Sequence, residues 1–521
     1  MWFSILLPLV LPIIHATTSP SPSFAEKCTS FSLTNHPLSS HPNATLINAE
    51  FLPANSTLPP PPNLHPTCLA DQLSIPLTVP MCRLSLHIPT SPSSAVNMEI
   101  WLPPPETWTK RFLSTGNGGL GGCIQYPDLL HGASLGFATA GHDNGHNPEV
   151  LRDFVDRSVV VSTEAGVEIT RQFYGYKRGM KRYHSGCSQG GRQGWKAVQE
   201  HPGLFDGVVA GAPGLSFNTV IAWHVWVLAN VLKGGHEGFL EQEDWEEVTR
   251  RVMEMCDADD GVVDGIIEDT RRCRPDLRRF KCRKDGRKKE GQWCLTEAQL
   301  ETLYEWVYKP WKVDGKVEWP GVTPGAESLW AAIVSMDGWK SLLEESMKYI
   351  YQQDPSYNIS LATLQDAVNA IRMNPFDLAT FGGDLSAFQR RGGKVVHWHG
   401  QLDQTLHIAN SDRYYDHVSR TMKKSSRELD VFYRYFRISG MQHCFGGPGA
   451  NAIGQFFGLG ASERPEDNVI MALYLRGAKF QADDYTQEVV FSRKHCRYPK
   501  RNRYFGAGDG TDEEGRRCIA A

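Results

Sequence analysis

The chain has 521 residues, of which 41% are hydrophobic and 21% are charged, with a formal net charge of -4 and a pI near 6.5. These values are ordinary for a globular protein, and the length allows two or three folded units or one large assembly. Because the chain is neither strongly basic nor strongly acidic, its composition does not point to nucleic acid or a membrane surface as a partner.

The N-terminus has the features of a secretory signal. Residues 2–14 are apolar and interrupted by two prolines, which gives the length of a signal core and is too short to span a bilayer. No Lys or Arg precedes this stretch, so the match is imperfect. We predict a signal peptide over residues 1–16, with cleavage after Ala25 as the alternative. No later apolar run reaches the length of a membrane helix.

Cysteines and glycosylation motifs also indicate export. The chain has twelve cysteines, an even number, and no Cys-x-x-Cys pair of the kind used in zinc or thioredoxin-like chemistry. Three N-glycosylation sequons begin at Asn43, Asn55 and Asn358. We therefore predict a secreted, extracellular glycoprotein with a disulfide framework.

Strands and helices alternate along much of the chain. Residues 17–66 are rich in Pro, Ser, Thr and Asn and predict an exposed lead-in. Period-two alternation and short apolar runs predict strands at residues 98–103, 111–115, 137–141, 205–213, 394–399 and 430–438. Helices are predicted over residues 171–182 and 192–200. This alternation indicates an α/β protein with a doubly wound, mostly parallel sheet.

The rhythm changes in the middle of the chain, where helical periodicity and Trp-rich segments replace it. We predict a catalytic unit in two parts, residues 17–214 and 389–521, interrupted by an inserted lid over residues 215–388. A basic run at 278–289 within the insertion is either a solvated loop or a dibasic processing site.

Ser188 is the predicted nucleophile. It lies in Gly186-Cys187-Ser188-Gln189-Gly190, and Gly-x-Ser-x-Gly forms a nucleophile elbow when it joins a strand to a helix. A helix is predicted after this pattern and a buried strand soon follows. The elbow indicates an α/β-hydrolase fold, in which the backbone N–H of Gln189 points at the developing oxyanion.

The acid and the base are expected after later strands, because the order in this fold is Ser, acid, His. Asp403 follows the strand 394–399 through a glycine turn, and its alternative role is an Asx turn. Asp384 is the competing acid. His443 lies in a Gly-flanked loop after the strand 430–438, which favours it over His407, His417 and His495.

In this arrangement His443 accepts the proton of Ser188 and passes it to the leaving alcohol, while Asp403 orients the imidazole. Gly118 and Gly119, in a glycine-rich loop after an early strand, are candidates for the second oxyanion N–H. Cys187 precedes the nucleophile and Cys444 follows the base. If Ser188 and His443 meet, these cysteines are close enough to form a disulfide.

An Asp-rich segment lies in the insertion, with four Asp within residues 257–264. Hard oxygen ligands at this spacing suit Ca²⁺, although the glycine position differs from that of an EF-hand. The alternative is a solvated acidic turn.

Four segments together resemble the tannase and feruloyl esterase family of secreted ester hydrolases: residues 186–194, 205–213, 399–403 and 440–444. The resemblance covers nearly everything from Cys28 to the C-terminus, and the paired Cys-Ser and His-Cys motifs are its most specific part. It implies a triad of Ser188, Asp403 and His443, a Cys187–Cys444 disulfide and a lid inserted after the strand that follows the elbow.

The resemblance also implies a structural calcium ion and further disulfides. The calcium ligands would be the side chains of Asp257, Asp260 and Asp264 and the carbonyls of Val262 and Ile266. The other implied disulfides are Cys28–Cys82, Cys68–Cys123, Cys256–Cys273, Cys282–Cys294 and Cys496–Cys518.

We therefore predict a secreted serine esterase that hydrolyses feruloyl or related hydroxycinnamoyl esters, either small or linked to polysaccharide, with no nucleic acid or membrane partner. Galloyl esters of tannins are the alternative substrate. A retired hydrolase that only binds ligand and a serine peptidase are the rivals. The intact Ser, Asp and His argue against the first, and the Cys-Ser and His-Cys pairing argues against the second. Trp223 and Trp226 in the insertion are either substrate-facing or packing residues, and the sequence leaves the oligomeric state open.

Overall fold

A computed structural model gives the structure of the protein. It describes residues 22–58, 76–145, 149–177, 179–232, 236–283, 293–455, 468–470, 476–480, 489–506, 508–511 and 514–521. The predicted signal peptide, Cys68 and residues 284–289 of the basic run lie outside these ranges.

Fourteen α-helices occur in the described part of the chain. They are α1 Phe24–Thr29, α2 Tyr126–Ser134, α3 Val150–Arg152, α4 Ser158–Tyr174, α5 Gln189–Glu200, α6 Phe217–Asn230, α7 Gln242–Cys256, α8 Glu297–Glu301, α9 Glu327–Ser335, α10 Asp337–Glu345, α11 Leu364–Met373, α12 Ser386–Arg390, α13 Ala409–Met422 and α14 Ser426–Leu429. None of these helices has both the length and the apolar character needed to cross a bilayer.

Fifteen strands occur in the same ranges. They are β1 Thr45–Leu52, β2 Met81–Ser91, β3 Ser94–Leu102, β4 Arg111–Thr115, β5 Ala138–His142, β6 Lys181–Cys187, β7 Gly207–Gly211, β8 Trp311–Val313, β9 Lys316–Trp319, β10 Lys394–Gly400, β11 Tyr433–Ile438, β12 Arg476–Phe480, β13 Val489–Lys494, β14 Arg501–Tyr504 and β15 Arg516–Ile519.

A nine-stranded sheet forms the centre of the fold, in the order β1-β2-β3-β5-β4-β6-β7-β10-β11. Strands from β5 to β11 in this order pair in parallel, whereas β1, β2, β3 and β5 pair antiparallel. The prediction of a mostly parallel sheet in an α/β-hydrolase fold is therefore confirmed.

Helices cover both faces of this sheet. Successive residues of a strand point to opposite faces. Ile100 of β3 packs in an apolar cluster with Ile169 and Phe173 of α4. Its neighbour Trp101 packs in another cluster with Leu129 of α2. The sheet is therefore buried from both sides, and its central strand β7 is a continuous apolar run, as such burial favours.

Part of the helix predicted over residues 171–182 is wrong. Helix α4 ends at Tyr174 because Gly175 takes a left-handed conformation at its C-cap, with φ of 65°. Residues 181–187 then form β6, which leads into Ser188. The sequence did not predict β6 because it contains several polar residues and lacks a clear apolar pattern. The strand is nevertheless central in the sheet and pairs with both β4 and β7.

The segment between β7 and β10 carries α6 to α12 and the hairpin β8–β9, and the predicted insertion 215–388 lies inside it. It has an apolar core of its own. Trp223 contacts Trp319 and Trp330 with ring centroids 5.8 and 5.7 Å apart, and Trp330 also contacts Trp245. All four rings are buried.

Five disulfides join pairs of cysteines that both lie within the described ranges. They are Cys28–Cys82, Cys187–Cys444, Cys256–Cys273, Cys282–Cys294 and Cys496–Cys518, and they match the pairing that the family resemblance implies. Cys123 is also disulfide-bonded. Its expected partner, Cys68, lies outside the described residues.

Candidate active site

Ser188 lies at a strained turn between β6 and α5. Its φ of 62° and ψ of -119° are costly for a residue with a side chain. Neighbouring backbone groups hold it there. The Ser188 N–H donates to the Gly211 carbonyl at 3.0 Å, and the Ser188 carbonyl accepts from Gly214 at 3.1 Å. This is the geometry of the nucleophile elbow expected from the sequence.

The glycines around the turn allow three backbones to approach closely. A Cβ on Gly116 would lie 2.4 Å from the Cα of Gly190, and one on Gly186 would lie 2.7 Å from the Gly190 carbonyl carbon. A Cβ on Gly191 would lie 2.3 Å from the Gly211 carbonyl oxygen. Side chains at these positions would push the glycine-rich loop and β7 away from the elbow.

The structure brings Asp403 and His443 together. Asp403 Oδ2 lies 2.6 Å from His443 Nδ1, and the carboxylate is fully buried. Burial alone would raise the pKa of Asp403. The adjacent His443 and the hydrogen bonds from His399 and His443 outweigh burial and hold the pKa well below its ordinary value. Asp403 is therefore an anion that can orient an imidazole and stabilise its charged form.

Ser188 and His443 line one cavity of about 670 Å³. The Cys187–Cys444 disulfide, with 6.0 Å between its Cα atoms, joins the residue before Ser188 to the residue after His443. Ser188 Oγ makes no hydrogen bond to any residue that the structure describes. Such contacts are often long in ligand-free sites and tighten when substrate binds.

The competing residues lie elsewhere. Asp384 is exposed and accepts a hydrogen bond from the Ser386 N–H at 2.9 Å, at the start of α12. His407 is buried beside Trp223 and Trp319, and His417 stacks on Phe381.

His495 is also buried, and its Nε2 atom lies within hydrogen-bond distance, 2.9 Å, of the Ala450 carbonyl oxygen. Neither Asp384 nor any of these three histidines lines the cavity that contains Ser188.

Gly118 and Gly119 line the same cavity, and Gln189 begins α5 beside it. The backbone N–H groups of these three residues donate to no acceptor in the described part of the chain. The preceding loop residue is fixed to α5, because Asn117 N–H donates to Gln193 Oε1 at 3.0 Å and Gln193 Nε2 donates to Asn117 Oδ1 at 3.0 Å. Free N–H groups on a fixed loop can stabilise an oxyanion without reorganising.

A histidine that the sequence reasoning missed also contacts the acid. His399 Nε2 lies 2.9 Å from Asp403 Oδ2, and His399 Nδ1 lies 2.7 Å from Ser411 Oγ. His397 contacts the same hydroxyl and Tyr433, so a buried polar chain runs from the acid into the core. The His-x-His spacing in β10 was the available signal, because alternate residues of a strand share a face.

Arg192 is a second residue that the sequence reasoning missed. It is fully buried in α5, and desolvation lowers its pKa to about 9. Its guanidinium donates to the Gln189 side chain at 2.7 Å and to the carbonyls of Phe154 and Val155. The Gln189 side chain is thereby turned into the protein, which leaves its backbone N–H for the site.

The insertion supplies one wall of the cavity through α10. Ser341, Leu342 and Glu345 line the cavity that Ser188 also lines, and Phe445, with 48% of its surface exposed, is part of the same lining. Trp223 and Trp226 are not part of this lining. Apolar and polar groups on these walls can contact the acyl group or the alcohol of an ester.

The Asp-rich loop offers oxygen atoms that lack partners. Asp264 Oδ1 is buried without a hydrogen bond. The carbonyls of Val262 and Ile266 accept no hydrogen bond from the described residues. Asp257 accepts three backbone N–H bonds, and Arg516 lies 2.7 Å from Asp260. Hard oxygen donors with unused lone pairs fit Ca²⁺.

A different acidic group could also hold a metal ion. Ligand atoms of Asp156, Glu200 and His201 lie within 4.8 Å of one another, and no other such group of three occurs in the described ranges. Glu200 is exposed and pairs with Lys196. These residues do not overlap the predicted calcium loop, whose aspartates Asp257, Asp260 and Asp264 do not all come within this distance of one another.

Comparisons with known proteins give the relatives of the chain. A sequence model of the family described as "Tannase and feruloyl esterase" matches residues 82–519. A probable feruloyl esterase B-1 from Aspergillus fumigatus is 39% identical over 542 residues, which cover 100% of both chains. A protein of the same description from Aspergillus terreus is 39% identical over 96% of both chains.

Two solved structures share the fold. Feruloyl esterase B from Aspergillus oryzae superposes with a TM-score of 0.86 and is 37% identical, with 95% of this chain and 100% of that chain covered. Tannin acyl hydrolase from Aspergillus niger has a TM-score of 0.74 and 20% identity, with 95% and 96% covered. The second likeness concerns the fold alone.

Proposed function

Since the chain belongs to the tannase and feruloyl esterase family and is a carboxylic ester hydrolase that acts on phenolic esters, we propose that it releases hydroxycinnamic acids, such as ferulic acid, from polysaccharide. Ser188, His443 and Asp403 carry the reaction. The observation that carries this proposal is the buried Asp403–His443 pair, 2.6 Å apart, in the cavity that Ser188 lines.

Ser188 Oγ attacks the ester carbonyl carbon while His443 Nε2 takes the hydroxyl proton. The tetrahedral oxyanion accepts hydrogen bonds from the N–H of Gln189 and of Gly118 or Gly119. The carbonyl re-forms, the C–O bond to the alcohol breaks, and His443 gives its proton to the departing alcohol. Water then attacks the acyl-serine with the same base, which releases the phenolic acid and restores Ser188.

The Cys187–Cys444 bridge has a role in this mechanism. Nucleophile and base each adjoin one of two cysteines that are 257 residues apart, and the covalent link between these cysteines limits how far the two segments can separate. Proximity of this kind lowers the entropic cost of the first step. Residues 215–388 act as a lid whose α10 supplies contacts to the ester.

The relatives favour hydroxycinnamate over gallate. Proteins named feruloyl esterase B or probable feruloyl esterase B-1 match at 37–39% identity over nearly the whole chain. We keep gallate esters as the alternative substrates, since the two activities differ in the acyl group and share the chemistry at Ser188.

We also propose that the Asp-rich loop binds one Ca²⁺ through Asp257, Asp260, Asp264 and the carbonyls of Val262 and Ile266. The ion would supply positive charge that the paired arginines do not fully provide, and its role is structural. It takes no part in the chemistry at Ser188.

Secretion and glycosylation complete the proposal. The disulfides support an oxidising, extracellular location, and the N-terminal segment supports a signal peptide. Asn43, Asn55 and Asn358 are exposed, as carbohydrate attachment requires. The substrate is a phenolic ester, and nucleic acid and membranes are not partners.

Replacing the nucleophile tests the function. Ser188→Ala should abolish turnover of methyl ferulate and methyl gallate and prevent labelling by a fluorophosphonate, while the melting temperature stays close to that of the wild type. Ser134→Ala is the matched control, because Ser134 is exposed at the end of α2 and does not line the cavity. Turnover by Ser188→Ala at the wild-type rate would refute the assignment.

A further inference from the structure

A second cavity lies on the inserted segment. Its volume is about 410 Å³, and it shares no lining residue with the cavity that contains Ser188. Its lining comprises Trp223, Trp226, Val227, Glu301, Glu305, Trp306, Lys309, Pro310, Trp311 and Lys312. We call this cavity the tryptophan groove.

Four tryptophans contribute to the lining of the groove. Trp223 is buried beneath it, whereas Trp226, Trp306 and Trp311 are half-buried. Trp226 and Trp306 lie 5.5 Å apart between ring centroids, with their planes inclined at 39°. Each of the three half-buried tryptophans packs against the apolar core and keeps part of its surface exposed, and exposed apolar surface gathered in one concavity often marks a binding site.

The polar groups of these rings also lack partners. No hydrogen bond from the indole N–H of Trp226, Trp306 or Trp311 occurs in the described structure. Elsewhere Trp245 donates to the Leu240 carbonyl at 3.1 Å, and the indole N–H groups of Trp195, Trp319, Trp339 and Trp398, which also lack an acceptor in the described structure, are buried away from solvent, unlike those of the groove. Indole N–H groups usually find an acceptor inside a protein. Those in the groove are therefore available to a ligand.

Charged groups of both signs surround the rings. Glu301 and Lys312 are exposed and have no ion-pair partner within the described ranges, whereas Glu305 pairs with Lys309. A rim with both a free carboxylate and a free ammonium group does not select for net ligand charge. It provides both acceptors and donors to a neutral ligand with many hydroxyls.

We propose that the tryptophan groove binds sugar units of a polysaccharide. A sugar ring has an apolar face of C–H groups, which packs against a flat aromatic ring, and a rim of hydroxyls, which both donate and accept. The half-buried tryptophans match the face, and the free indole N–H groups, Glu301 and Lys312 match the rim. A purely apolar ligand would leave these polar groups unpaired at a cost in free energy.

The groove therefore serves as an ancillary site that holds the carbohydrate part of the substrate outside the catalytic cavity. This inference rests on the proposed function for the choice of plant polysaccharide as the ligand. The binding itself requires no hydrolysis, so it can be measured in the Ser188→Ala chain while activity on a small ester is measured separately.

Affinity electrophoresis of the full Ser188→Ala chain in native gels containing soluble arabinoxylan or pectin tests the proposal. We expect at least one polysaccharide to retard the chain. Adding Trp306→Ala or Trp311→Ala should weaken this binding at least fivefold, whereas Trp306→Tyr should retain most of it because an aromatic ring remains. Tyr349→Ala is the matched control, since Tyr349 is 59% exposed on the same segment and outside the groove.

In the Ser188-containing chain, Trp306→Ala and Trp311→Ala should leave methyl ferulate turnover within twofold of wild type and lower the release of ferulate from arabinoxylan. Melting temperatures show whether each variant is folded. If Trp306→Ala does not fold, Trp311→Ala tests the proposal instead. Absence of retardation by both polysaccharides, or equal retardation of the tryptophan variants and Tyr349→Ala, would overturn the proposal. If the wild-type chain does not turn over methyl ferulate at all, that result would instead count against the proposed function.

Discussion

Asp403 is a fully buried carboxylate with an unusually complete set of donors. Its Oδ1 accepts from Thr405 N–H, Thr405 Oγ1 and Leu406 N–H at 2.8 to 3.0 Å, and its Oδ2 contacts His443 and His399. Burial of an unpaired charge would be costly, and these contacts offset that cost. These contacts fix the Asp403 carboxylate in orientation and favour its charged form.

This arrangement predicts a large effect of Asp403→Asn. The amide would present an NH₂ or a neutral oxygen to His443 Nδ1, so the imidazole would lose its fixed tautomer and the stabilisation of its charged form. We expect kcat for methyl ferulate to fall by about 10³- to 10⁴-fold, as such a change does in other Ser-His-Asp sites. Steady-state kinetics at pH 7 measures the loss.

Asp384→Asn is the control for this experiment, because Asp384 is the rival acid and lies exposed at the start of α12. It should keep wild-type kcat. A similar loss of activity in both variants, or in Asp384→Asn alone, would contradict the role given to Asp403.

The candidate residues of the site could be identified from the sequence, but the side chains that contact and hold them could not. The candidates Asp403 and His443 each follow a strand that the sequence predicts, whereas Ser188 was identified from its Gly-x-Ser-x-Gly pattern, although the strand before it, β6, was not predicted. His399 was quoted only as part of a motif, since its contact with Asp403 depends on how the 400–403 turn folds back. Arg192 and Gln193 also gave no chemical signal, because burial creates their roles.

At the scale of elements, the site is assembled at the carboxyl ends of parallel strands. The glycine-rich loop follows β4, Ser188 follows β6, Asp403 follows β10 and His443 follows β11. Register fixes their spacing, since Gly211 of β7 pairs with Cys187 on one side and with Trp398 on the other. This edge is where open α/β sheets bind ligands.

The Asp-rich loop shows what local patterns miss. Arg493 and Arg516 lie more than 200 residues away in sequence, yet both contact Asp264 Oδ2, at 2.6 and 3.0 Å. The repulsion expected among the aspartates is therefore partly offset by arginines from the C-terminal segment. Spacing alone could indicate an oxygen-rich site, but not these pairs, which depend on tertiary contacts.

The calcium proposal predicts a different response from two aspartates of this loop. Asp264 has a buried oxygen without a partner, whereas Asp259 is exposed and outside the proposed ligand set. Adding Ca²⁺ to chelator-treated protein should raise the melting temperature of the wild type and of Asp259→Asn by several degrees, because an ion that binds only the folded state stabilises it. Asp264→Asn should lose most of this shift.

Thermal unfolding with and without Ca²⁺, followed by calorimetry, measures the effect, and methyl ferulate turnover of the folded protein should change little. A wild-type melting temperature that does not respond to Ca²⁺ after chelation would refute the site. An equal loss of the shift in Asp259→Asn would refute the ligand assignment.

At the scale of the whole molecule, uncharged histidines are buried throughout the fold. In five examples, each with at most 4% of its surface exposed, burial is the largest cause and lowers the pKa. The values are about 3 for His142 and His224 and about 4 for His184, His407 and His495. They lie in or beside β5, α6, β6, α13 and β13, so their protonation concerns the entire fold.

These pKa values predict loss of stability in acid. An unfolded histidine takes up a proton near pH 6.5, whereas the folded one stays neutral to about pH 4 or below, so the unfolded state binds more protons in this window. The stabilisation is complete above pH 6.5 and is lost as the pH falls toward 4. We expect the melting temperature to drop by roughly 10 °C across this window. Calorimetry at pH 7, 6, 5 and 4 should also show net proton uptake on unfolding. A flat melting temperature without proton uptake would contradict the prediction.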